Sequence, residues 1–261
     1  MVEPLSEELR FAIEAAGVAG KRLEALRRSG RWEGELLGDV GDQAADGYLQ
    51  GILAGRFPED GVLSEETASD GRRLEKSRVW IVDPLDGTKE YGERRYDWAV
   101  HVGLAIDGAP VLGAVALPAT GEVLFGVGSE RAGLEGGSRD LVRGDAEAPA
   151  RPVVAVSRSH TPDWVLDFTR KLGGEMRPFG SVGFKVSRLF FGEADIYVHQ
   201  KGLKEWDTCA PEAVARALGW SVTTFSGAEH RYNRENPRNE EIVVCRPSWR
   251  ERVLQALGVS G

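Results

Sequence analysis

The residues at 80–88, which read Trp-Ile-Val-Asp-Pro-Leu-Asp-Gly-Thr, constrain the fold of this chain more than any other stretch. An apolar run that predicts a buried strand ends in two aspartates, Asp83 and Asp86. Pro84 fixes its φ angle and donates no ladder hydrogen bond, and Gly87 permits a tight turn. The sequence therefore predicts a strand that ends in a corner where the two carboxylates converge.

Such a corner suits hard divalent cations, because carboxylate oxygens are the ligands that these ions prefer. Backbone N–H groups at Gly87 and Thr88 would then face an anion held by the cations, which suits a phosphate. The alternative is a turn in which both acids only accept backbone hydrogen bonds. Two further acidic clusters favour the cation interpretation, since Glu65 and Glu66 follow a predicted strand and Asp207 precedes a predicted helix. Together the clusters offer ligands for two or three Mg²⁺ ions.

The motifs LSEE, WIVDPLDGTKEY and EWDTCAPE occur in that order. They resemble the inositol monophosphatase-like superfamily of magnesium-dependent, lithium-sensitive phosphatases, and the resemblance spans nearly the whole chain. The KE after DGT, the EWDTCAPE run and SRSH at 157–160 are similar to 3′(2′),5′-bisphosphate nucleotidases, whereas inositol phosphatases more often read DGTTNF at the first place. The resemblance implies a layered αβαβα sandwich that combines α+β and α/β parts.

The resemblance also implies roles for individual residues. The expected metal ligands are Glu65, Asp83, the Leu85 carbonyl, Asp86 and Asp207. Thr88 and Glu65 are expected to act in catalysis, but a hydroxyl can orient an attacking water only if a neighbouring acceptor takes its own proton. Asp46 matches the family's acid at the start of the second helix and is the expected partner. Relatives commonly read Val-Thr shortly before it, whereas this chain has Asp42-Gln43, so Asp42 remains an alternative.

A second anion site is expected at 179–185, where small residues lead into a helix that carries a lysine in its first turns. The alternative is a glycine loop before an ordinary helix with an exposed lysine. With Ser157 and His160, this region resembles the part of bisphosphate nucleotidases that holds the nucleotide. The expected substrate-binding residues are Gly87, Thr88, Ser157, His160, Ser181, Lys185 and Asp207. His101, in a strand of alternating apolar residues, is interpreted as a core histidine.

The charge balance limits the class of partner. With 33 basic and 41 acidic side chains the net charge is −8, which argues against a nucleic-acid polymer, since phosphate backbones are bound by basic surfaces. Cys209 and Cys245 lack the spacing of a zinc site or a disulfide framework, which favours reduced thiols and a cytoplasmic location. No run approaches about 18 apolar residues, so no membrane span is expected. Relatives often pair, so a homodimer remains open.

Apolar periodicity and turn signals divide the chain into two parts. In the first, helices are expected at 6–28, with Ser6 as the N-cap, and at about 42–54, followed by an antiparallel meander with strands at 79–82, 99–106, 111–117 and 123–127. In the second, strands are expected at 153–156, 195–199, 220–225 and 241–245, with helices at 163–172, 184–191, 207–218 and the C-terminus. Residues 133–151 are rich in glycine, alanine and charge. We therefore expect an α+β subdomain (1–145) with most metal ligands and an α/β subdomain (146–261) with the nucleotide-binding residues and the last ligand.

The residues and the resemblance together predict a magnesium-dependent phosphomonoesterase. Its expected reaction removes the 3′-phosphate of adenosine 3′,5′-bisphosphate, giving AMP and phosphate, and the related sulfated nucleotide PAPS is a second expected substrate, which places the protein in sulfur metabolism. An inositol monophosphatase or a fructose 1,6-bisphosphatase would use the same metals with a different pocket. The alternative from another class is a metal-dependent nucleotide-binding regulator without turnover.

Overall fold

The computed structural model describes residues 5–67, 71–129 and 131–258. The helices are α1 (Ser6–Arg28), α2 (Gly34–Arg56), α3 (Thr88–Gly92), α4 (Asp163–Lys171), α5 (Val182–Phe190), α6 (Glu205–Ala217) and α7 (Arg250–Ala256). The strands are β1 (Gly61–Ser64), β2 (Arg78–Asp86), β3 (Ala99–Ile106), β4 (Ala109–Leu117), β5 (Glu122–Val127), β6 (Arg131–Glu135), β7 (Val153–Ser157), β8 (Glu175–Phe179), β9 (Ile196–Gln200), β10 (Ser221–Thr223) and β11 (Glu241–Cys245). Short 3-10 turns cover Arg72–Glu75 and Pro247–Trp249.

The strands form two sheets that alternate with layers of helices. The first sheet has the order β1-β2-β3-β4-β5-β6, with β1 parallel to β2 and the other pairs antiparallel. The second has the order β10-β11-β9-β7-β8, in which β7 runs parallel to both of its neighbours. Helices α1 and α2 cover one face of the first sheet, α5 and α6 lie between the sheets, and α4 and α7 cover the outer face of the second. The expected αβαβα layering is confirmed.

Both faces of the first sheet are buried, and the period of two along its strands divides the side chains between them. Trp80 and Val82 of β2 join the apolar cluster with α1 and α2, whereas Val79 and Ile81 face the opposite side. Strands buried on both faces read as continuous apolar runs. That explains why β2 was recognisable in the sequence although it does not alternate.

A row of three glycines lets α6 approach the first sheet closely. Gly103, Gly113 and Gly126 lie opposite one another on β3, β4 and β5. A Cβ at Gly113 would lie 2.3 Å from the carbonyl oxygen of Ala210 in α6. Glycine inside a strand often marks such a close backbone approach. The row therefore sets the position of α6, the helix that begins next to Asp207.

Several element boundaries differ from the expected ones. Helix α1 matches its expected range, but Leu5 is its N-cap instead of Ser6. Helix α2 begins at Gly34, eight residues before the expected start at residue 42. Strands β6 and β8 were not expected, and each lies at the edge of its sheet. The division of the chain near residue 145 remains a prediction; α6, from the second half, packs against the first sheet.

Candidate active site

A β-bulge in β2 turns two acidic side chains to the same side. Asp83 pairs with His101 of β3 and Asp86 pairs with Ala99, so three steps along β2 match two steps along β3. Residues three apart in a regular strand point to opposite faces. The extra residue of the bulge removes that alternation. The corner predicted from the sequence is therefore present.

Asp207 completes a group of three carboxylates. One carboxylate oxygen from each of Asp83, Asp86 and Asp207 lies within 4.8 Å of the others. The first two side chains are buried and Asp207 is half-buried. Asp207 does not precede α6, as expected, but is its third residue, and its Oδ2 accepts a 2.6 Å hydrogen bond from the N–H of the N-cap Lys204. One oxygen of Asp207 thus caps the helix.

Burial and repulsion control the ionisation of this group. Burial, and then the charges of Glu65 and Asp86, raise the pKa of Asp83 well above its ordinary value. Burial and the charge of Asp86 raise the pKa of Asp207 to about 7. Burial also acts to raise the pKa of Asp86, but the charges of His101 and Lys185 and the N–H of Gly183 together outweigh it and lower the pKa. The positive charges near these three carboxyl groups therefore offset only part of their mutual repulsion.

Glu65 lies beside these carboxylates on the segment that follows β1. Partial burial, and then repulsion by Asp207, raise the pKa of Glu65 to about 8, although the residue is exposed. The hydroxyls of Ser64 and Thr67, which flank Glu65, each donate a 2.5 Å hydrogen bond to one carboxylate oxygen of Asp46. Both oxygens of Asp46 are thus used to hold the segment that carries Glu65.

Thr88 begins α3 and contacts Asp42. Its Oγ1 donates to Oδ2 of Asp42 at 2.9 Å and lies 3.2 Å from the carbonyl oxygen of Leu85. Burial raises the pKa of Asp42 to about 7, against the lowering effect of the hydrogen bond from Thr88. Gly87, just before Thr88, has a φ of 97° and a Cβ there would lie 3.0 Å from the Ser181 Cβ, so this corner requires glycine.

The structure corrects the expectation that Asp46 is the partner of Thr88, and the alternative, Asp42, makes that contact. Because α2 begins at Gly34, both acids lie inside the helix and not at its start. They are four residues apart and so occupy one helix face on successive turns. Asp42 faces α3 and Asp46 faces the end of β1. The sequence offered both acids as partners of Thr88 but did not indicate which of them meets it.

The N-terminus of α5 binds a carboxylate of this same chain. The N–H groups of Val182 and Gly183 donate to the two carboxylate oxygens of Asp86 at 3.1 and 2.6 Å. The hydroxyl of Ser181 caps the helix by accepting a 3.2 Å hydrogen bond from the N–H of Phe184. The expectation of a second external anion site is therefore corrected, since these two donors already bind Asp86. A direct role of Ser181 toward substrate remains a prediction.

Lys185 is buried, which neither sequence interpretation anticipated. Its side chain is 3% exposed, and its ammonium donates to the carbonyl oxygen of Gly180. Burial lowers the pKa of Lys185, and the charges of Asp86 and Glu90 oppose that effect. Lys185 therefore supplies positive charge behind the acidic group. Its expected contact with substrate remains a prediction.

His101 is buried as expected, but it also contacts the acidic group. Its Nε2 lies 3.1 Å from Oδ2 of Asp86, and its Nδ1 lies 3.1 Å from the carbonyl oxygen of Trp206. Burial alone would lower the pKa of His101, but Asp86 raises it. The imidazole thus joins the corner in β2 to the first turn of α6. The sequence signal was weak: a histidine inside an apolar strand that neighbours the acidic corner.

Ser157 and His160 lie apart from the acidic group, at a cavity of about 320 Å³ beside the carboxyl ends of β7 and β9. His199, Lys201 and Trp164 also line this cavity. It combines basic side chains with aromatic and hydroxyl surface. A volume of a few hundred Å³ is typical of small-molecule sites.

Tyr197 is a buried residue of β9 that contacts His199. Its ring centroid is 6.3 Å from that of His199, which lines the cavity. Burial raises the pKa of Tyr197 well above its ordinary value, and the charges of Asp207 and Asp86 add to the effect.

The donor set fits magnesium. Asp83, Asp86 and Asp207 offer hard oxygen ligands, and their crowding raises pKa values in a way that bound cations would relieve. Glu65 and the carbonyl of Leu85 are outside this group of three and remain predicted ligands. Among the described residues this group consists of carboxylates alone, a ligand set that suits hard cations such as Mg²⁺ better than soft metals.

Comparison with known proteins identifies the family. The sequence profile of the inositol monophosphatase family matches residues 5–259. The chain belongs to the inositol monophosphatase family. One relative within this family is the 3′-phosphoadenosine 5′-phosphate phosphatase of Mycobacterium leprae, 36% identical over 248 residues that cover 90% of this chain and 88% of the relative. Inositol monophosphatase 3 of Danio rerio is 31% identical and covers 88% of this chain and 77% of its own length.

A solved structure of the family supports the layered fold. CysQ from Bacteroides thetaiotaomicron superimposes with a TM-score of 0.82 at 29% identity, covering 93% of this chain and 98% of that chain. Within the described residues, no helix is both long and apolar enough to span a membrane.

Proposed function

We propose that the protein is a magnesium-dependent phosphomonoesterase that removes the 3′-phosphate of adenosine 3′,5′-bisphosphate. The observation that carries this proposal is the convergence of Asp83, Asp86 and Asp207 within 4.8 Å. Next to it lies a hydroxyl that is hydrogen-bonded to a carboxylate, Thr88 on Asp42. Such an arrangement can hold cations at a phosphate and orient a nucleophile toward it.

Two or three Mg²⁺ ions would be held by Asp83, Asp86, Asp207 and Glu65 with the carbonyl of Leu85. When bound, they would polarise the phosphate oxygens and acidify a water molecule. His101 and the N-terminus of α5 fix the orientation of Asp86. Catalysis by this chain is then mainly positioning and electrostatic stabilisation.

Thr88 and Asp42 would align the attacking water. Because the Thr88 hydroxyl donates its own proton to Asp42, its lone pairs remain to accept a hydrogen bond from water. The second oxygen of Asp42, Oδ1, has no hydrogen-bond partner among the described residues. Asp42, with a pKa of about 7, can take up a proton near neutral pH.

The substrate class is supported by the cavity and by relatives. The M. leprae relative is a 3′-phosphoadenosine 5′-phosphate phosphatase, and the Bacteroides structure is a CysQ. His160, Lys201 and Trp164 line the cavity, where Lys201 could neutralise a second phosphate, His160 could donate a hydrogen bond to it and Trp164 offers an apolar surface for a base. The proposed second substrate is PAPS, whose chemistry is similar.

Several finer properties belong to the same proposal. Lithium inhibition and a homodimer are what the family resemblance implies. Cys209 and Cys245 are buried free thiols, which accords with the reducing cytoplasm proposed as the location. A role in sulfur metabolism follows from the proposed substrate.

A substrate panel tests the proposal. Purified protein with Mg²⁺ is incubated with adenosine 3′,5′-bisphosphate, inositol 1-phosphate or fructose 1,6-bisphosphate, and phosphate release is measured. We expect kcat/KM for the nucleotide to exceed that for the other esters by at least about tenfold, a difference of about 1.4 kcal/mol in transition-state binding. A higher kcat/KM for inositol 1-phosphate or for fructose 1,6-bisphosphate would contradict the proposal and indicate an inositol monophosphatase or a fructose 1,6-bisphosphatase instead. Tight nucleotide binding without hydrolysis would favour the regulator.

A further inference from the structure

The segment 230–239, here called the strap, has no role in the proposed reaction. It follows β10 and precedes β11, and its residues are largely polar. The strap contacts the first turn of α6 on one side and Arg73 on the other. The first turn of α6 contains the proposed ligand Asp207, and Arg73 lies in the connection between the segments that carry Glu65 and Asp83.

On one side the strap holds the start of α6 through Glu205. Glu205 is the first residue of α6 and is 0% exposed. Its carboxylate accepts hydrogen bonds from the N–H of Asn233 at 2.6 Å and the N–H of Arg234 at 3.0 Å. Asp207 lies two residues further along the same turn. The orientation of Asp207 therefore depends on a turn that the strap fixes.

On the other side the strap holds Arg73, which is 5% exposed. Arg73 Nη1 donates to Oδ1 of Asn233 at 2.7 Å, and Nδ2 of Asn233 donates back to the carbonyl of Arg73 at 2.9 Å. Arg73 Nη2 also donates to the carbonyl of Arg234 at 2.9 Å. Arg73 lies in the connection between β1, which ends next to Glu65, and β2, which carries Asp83.

Further buried hydrogen bonds keep the strap on α6. The hydroxyl of Tyr232 donates to Oε2 of Glu212 at 2.7 Å and lies 3.1 Å from the hydroxyl of Thr208. His230 Nδ1 lies 2.6 Å from the same oxygen of Glu212. Asn239 donates to the hydroxyl of Thr208 at 3.0 Å. Undocking the strap would leave buried carboxylates with fewer partners, which is costly.

We infer that Asn233 is a positioning residue for the metal site, because it alone in the strap bonds to Glu205 through its backbone and to Arg73 through its side chain amide. The inference rests on the proposed function, since it takes Glu65, Asp83 and Asp207 as metal ligands. Asn233 has a φ of 61°, a left-handed conformation that asparagine tolerates better than most residues. Its amide offers both the acceptor and the donor that Arg73 requires.

Asn233→Gly is the test variant, because glycine keeps the left-handed backbone and the N–H to Glu205 while it removes the bonds to Arg73. The measurement is the dissociation constant of Mn²⁺ by titration calorimetry on the full chain without substrate. We expect binding about tenfold weaker than in the wild type, at the lower end of what loss of outer contacts costs a metal site. At saturating Mg²⁺, kcat should return close to the wild-type value.

Two controls separate positioning from loss of stability. Arg94→Gly replaces another left-handed residue, with a φ of 58°, that is exposed and outside the strap. Val253→Ala removes volume from a fully buried position in α7 and lowers the thermal midpoint. Neither control should change the Mn²⁺ dissociation constant by more than about twofold, because neither contacts the strap.

The outcomes distinguish this inference from the proposed function. If the wild type binds Mn²⁺ and Asn233→Gly binds it equally well, Asn233 is not a positioning residue, while the metal site stands. If the wild type binds no Mn²⁺, both fall. Should Asn233→Gly not fold, Asn233→Asp keeps the acceptor for Arg73 but loses the donor. It should weaken Mn²⁺ binding by about threefold, and an unchanged constant would overturn the inference.

Discussion

At the residue scale, Asp83 illustrates how a side chain placed for metal binding opposes folding. It is 1% exposed, and burial and neighbouring acids raise its pKa. In the absence of cations, ionising this carboxyl group costs free energy that no nearby positive charge offsets fully. The same arrangement makes the group a strong ligand once a cation is present.

Asp83→Asn should therefore raise the thermal midpoint in EDTA by a few degrees and abolish hydrolysis with Mg²⁺. The amide oxygen can still accept the 3.0 Å hydrogen bond from the N–H of Leu85, so the corner keeps its shape. Calorimetry and phosphate release measure the two effects. Asp167→Asn, at a side chain that is 70% exposed on α4, should change neither. A lower midpoint in EDTA would show that Asp83 does not oppose folding.

The two acids of α2 should separate chemistry from metal binding. Asp42→Asn weakens the acceptor for the Thr88 proton, so kcat should fall about 10- to 100-fold with little change in the Mg²⁺ concentration for half-maximal activity. Asp46→Asn loosens the segment that carries Glu65, so it should raise that Mg²⁺ concentration instead. Steady-state kinetics over a Mg²⁺ series distinguishes them. The reverse pattern would restore Asp46 as the partner of Thr88.

The residues that the sequence located well are those whose local chain geometry decides their position. Pro84 and Gly87 made the convergence of Asp83 and Asp86 predictable. The choice between Asp42 and Asp46 depends on which turn of α2 meets α3, a tertiary contact that no local pattern encodes. The burial of Lys185 is likewise a product of packing between the two sheets.

At the scale of elements, α2 shows how packing overrides local propensity. Its first turns contain Gly34, Gly38 and Gly41, and glycine disfavours helix by about 1 kcal/mol per residue relative to alanine, whereas the sequence predicted a helix only from about residue 42. In the structure a Cβ at Gly38 would lie 2.6 Å from Cγ2 of Thr88, so the helix needs this glycine to reach α3. The helix starts early because it packs against the site.

Gly38→Ala should consequently lower kcat at least about tenfold, because the new methyl group displaces Thr88 from Asp42. Gly47→Ala is a matched control in the same helix, since a Cβ there meets nothing within 4 Å. It should leave kcat unchanged and stabilise the protein by up to about 1 kcal/mol. Equal kinetics for the two variants would show that the approach of α2 to Thr88 is not needed.

The strands that the sequence missed are edge strands. β6 reads Arg-Ala-Gly-Leu-Glu and β8 reads Glu-Met-Arg-Pro-Phe, and neither has the apolar pattern of an inner strand. Edge strands carry charges and proline because one side of the ladder is unpaired. The inner strands β3 and β11 were predicted at their observed bounds, since burial on both faces leaves a clear apolar run.

At the scale of the whole molecule, stability in the absence of metal should depend on pH through the acidic group. The pKa values of Glu65, Asp42 and Asp207 are raised to about 8, 7 and 7, above ordinary values near 4. Between about pH 4 and about pH 8 the folded state binds more protons than the unfolded state, so the free energy of unfolding falls as pH rises. The stabilisation is complete below about pH 4 and lost above about pH 8.

Thermal unfolding in EDTA should therefore give a lower midpoint at about pH 8.5 than at about pH 5.5. Mg²⁺ should raise the midpoint more at the higher pH, because protons compete with cations for the same carboxylates. In the Asp83→Asn variant, the difference between the thermal midpoints at these two pH values in EDTA should be smaller. A midpoint in EDTA that rises over this pH range would contradict the raised pKa values.

The most direct test of the central claim is the anomalous scattering of crystals soaked in Mn²⁺. The claim is that carboxylates from β2 and α6 form one cation site beside Thr88. We predict anomalous difference peaks among the oxygens of Asp83, Asp86 and Asp207, with Glu65 and the Leu85 carbonyl at the same ions. Ordered crystals with no peak among these oxygens at saturating Mn²⁺ would contradict the claim.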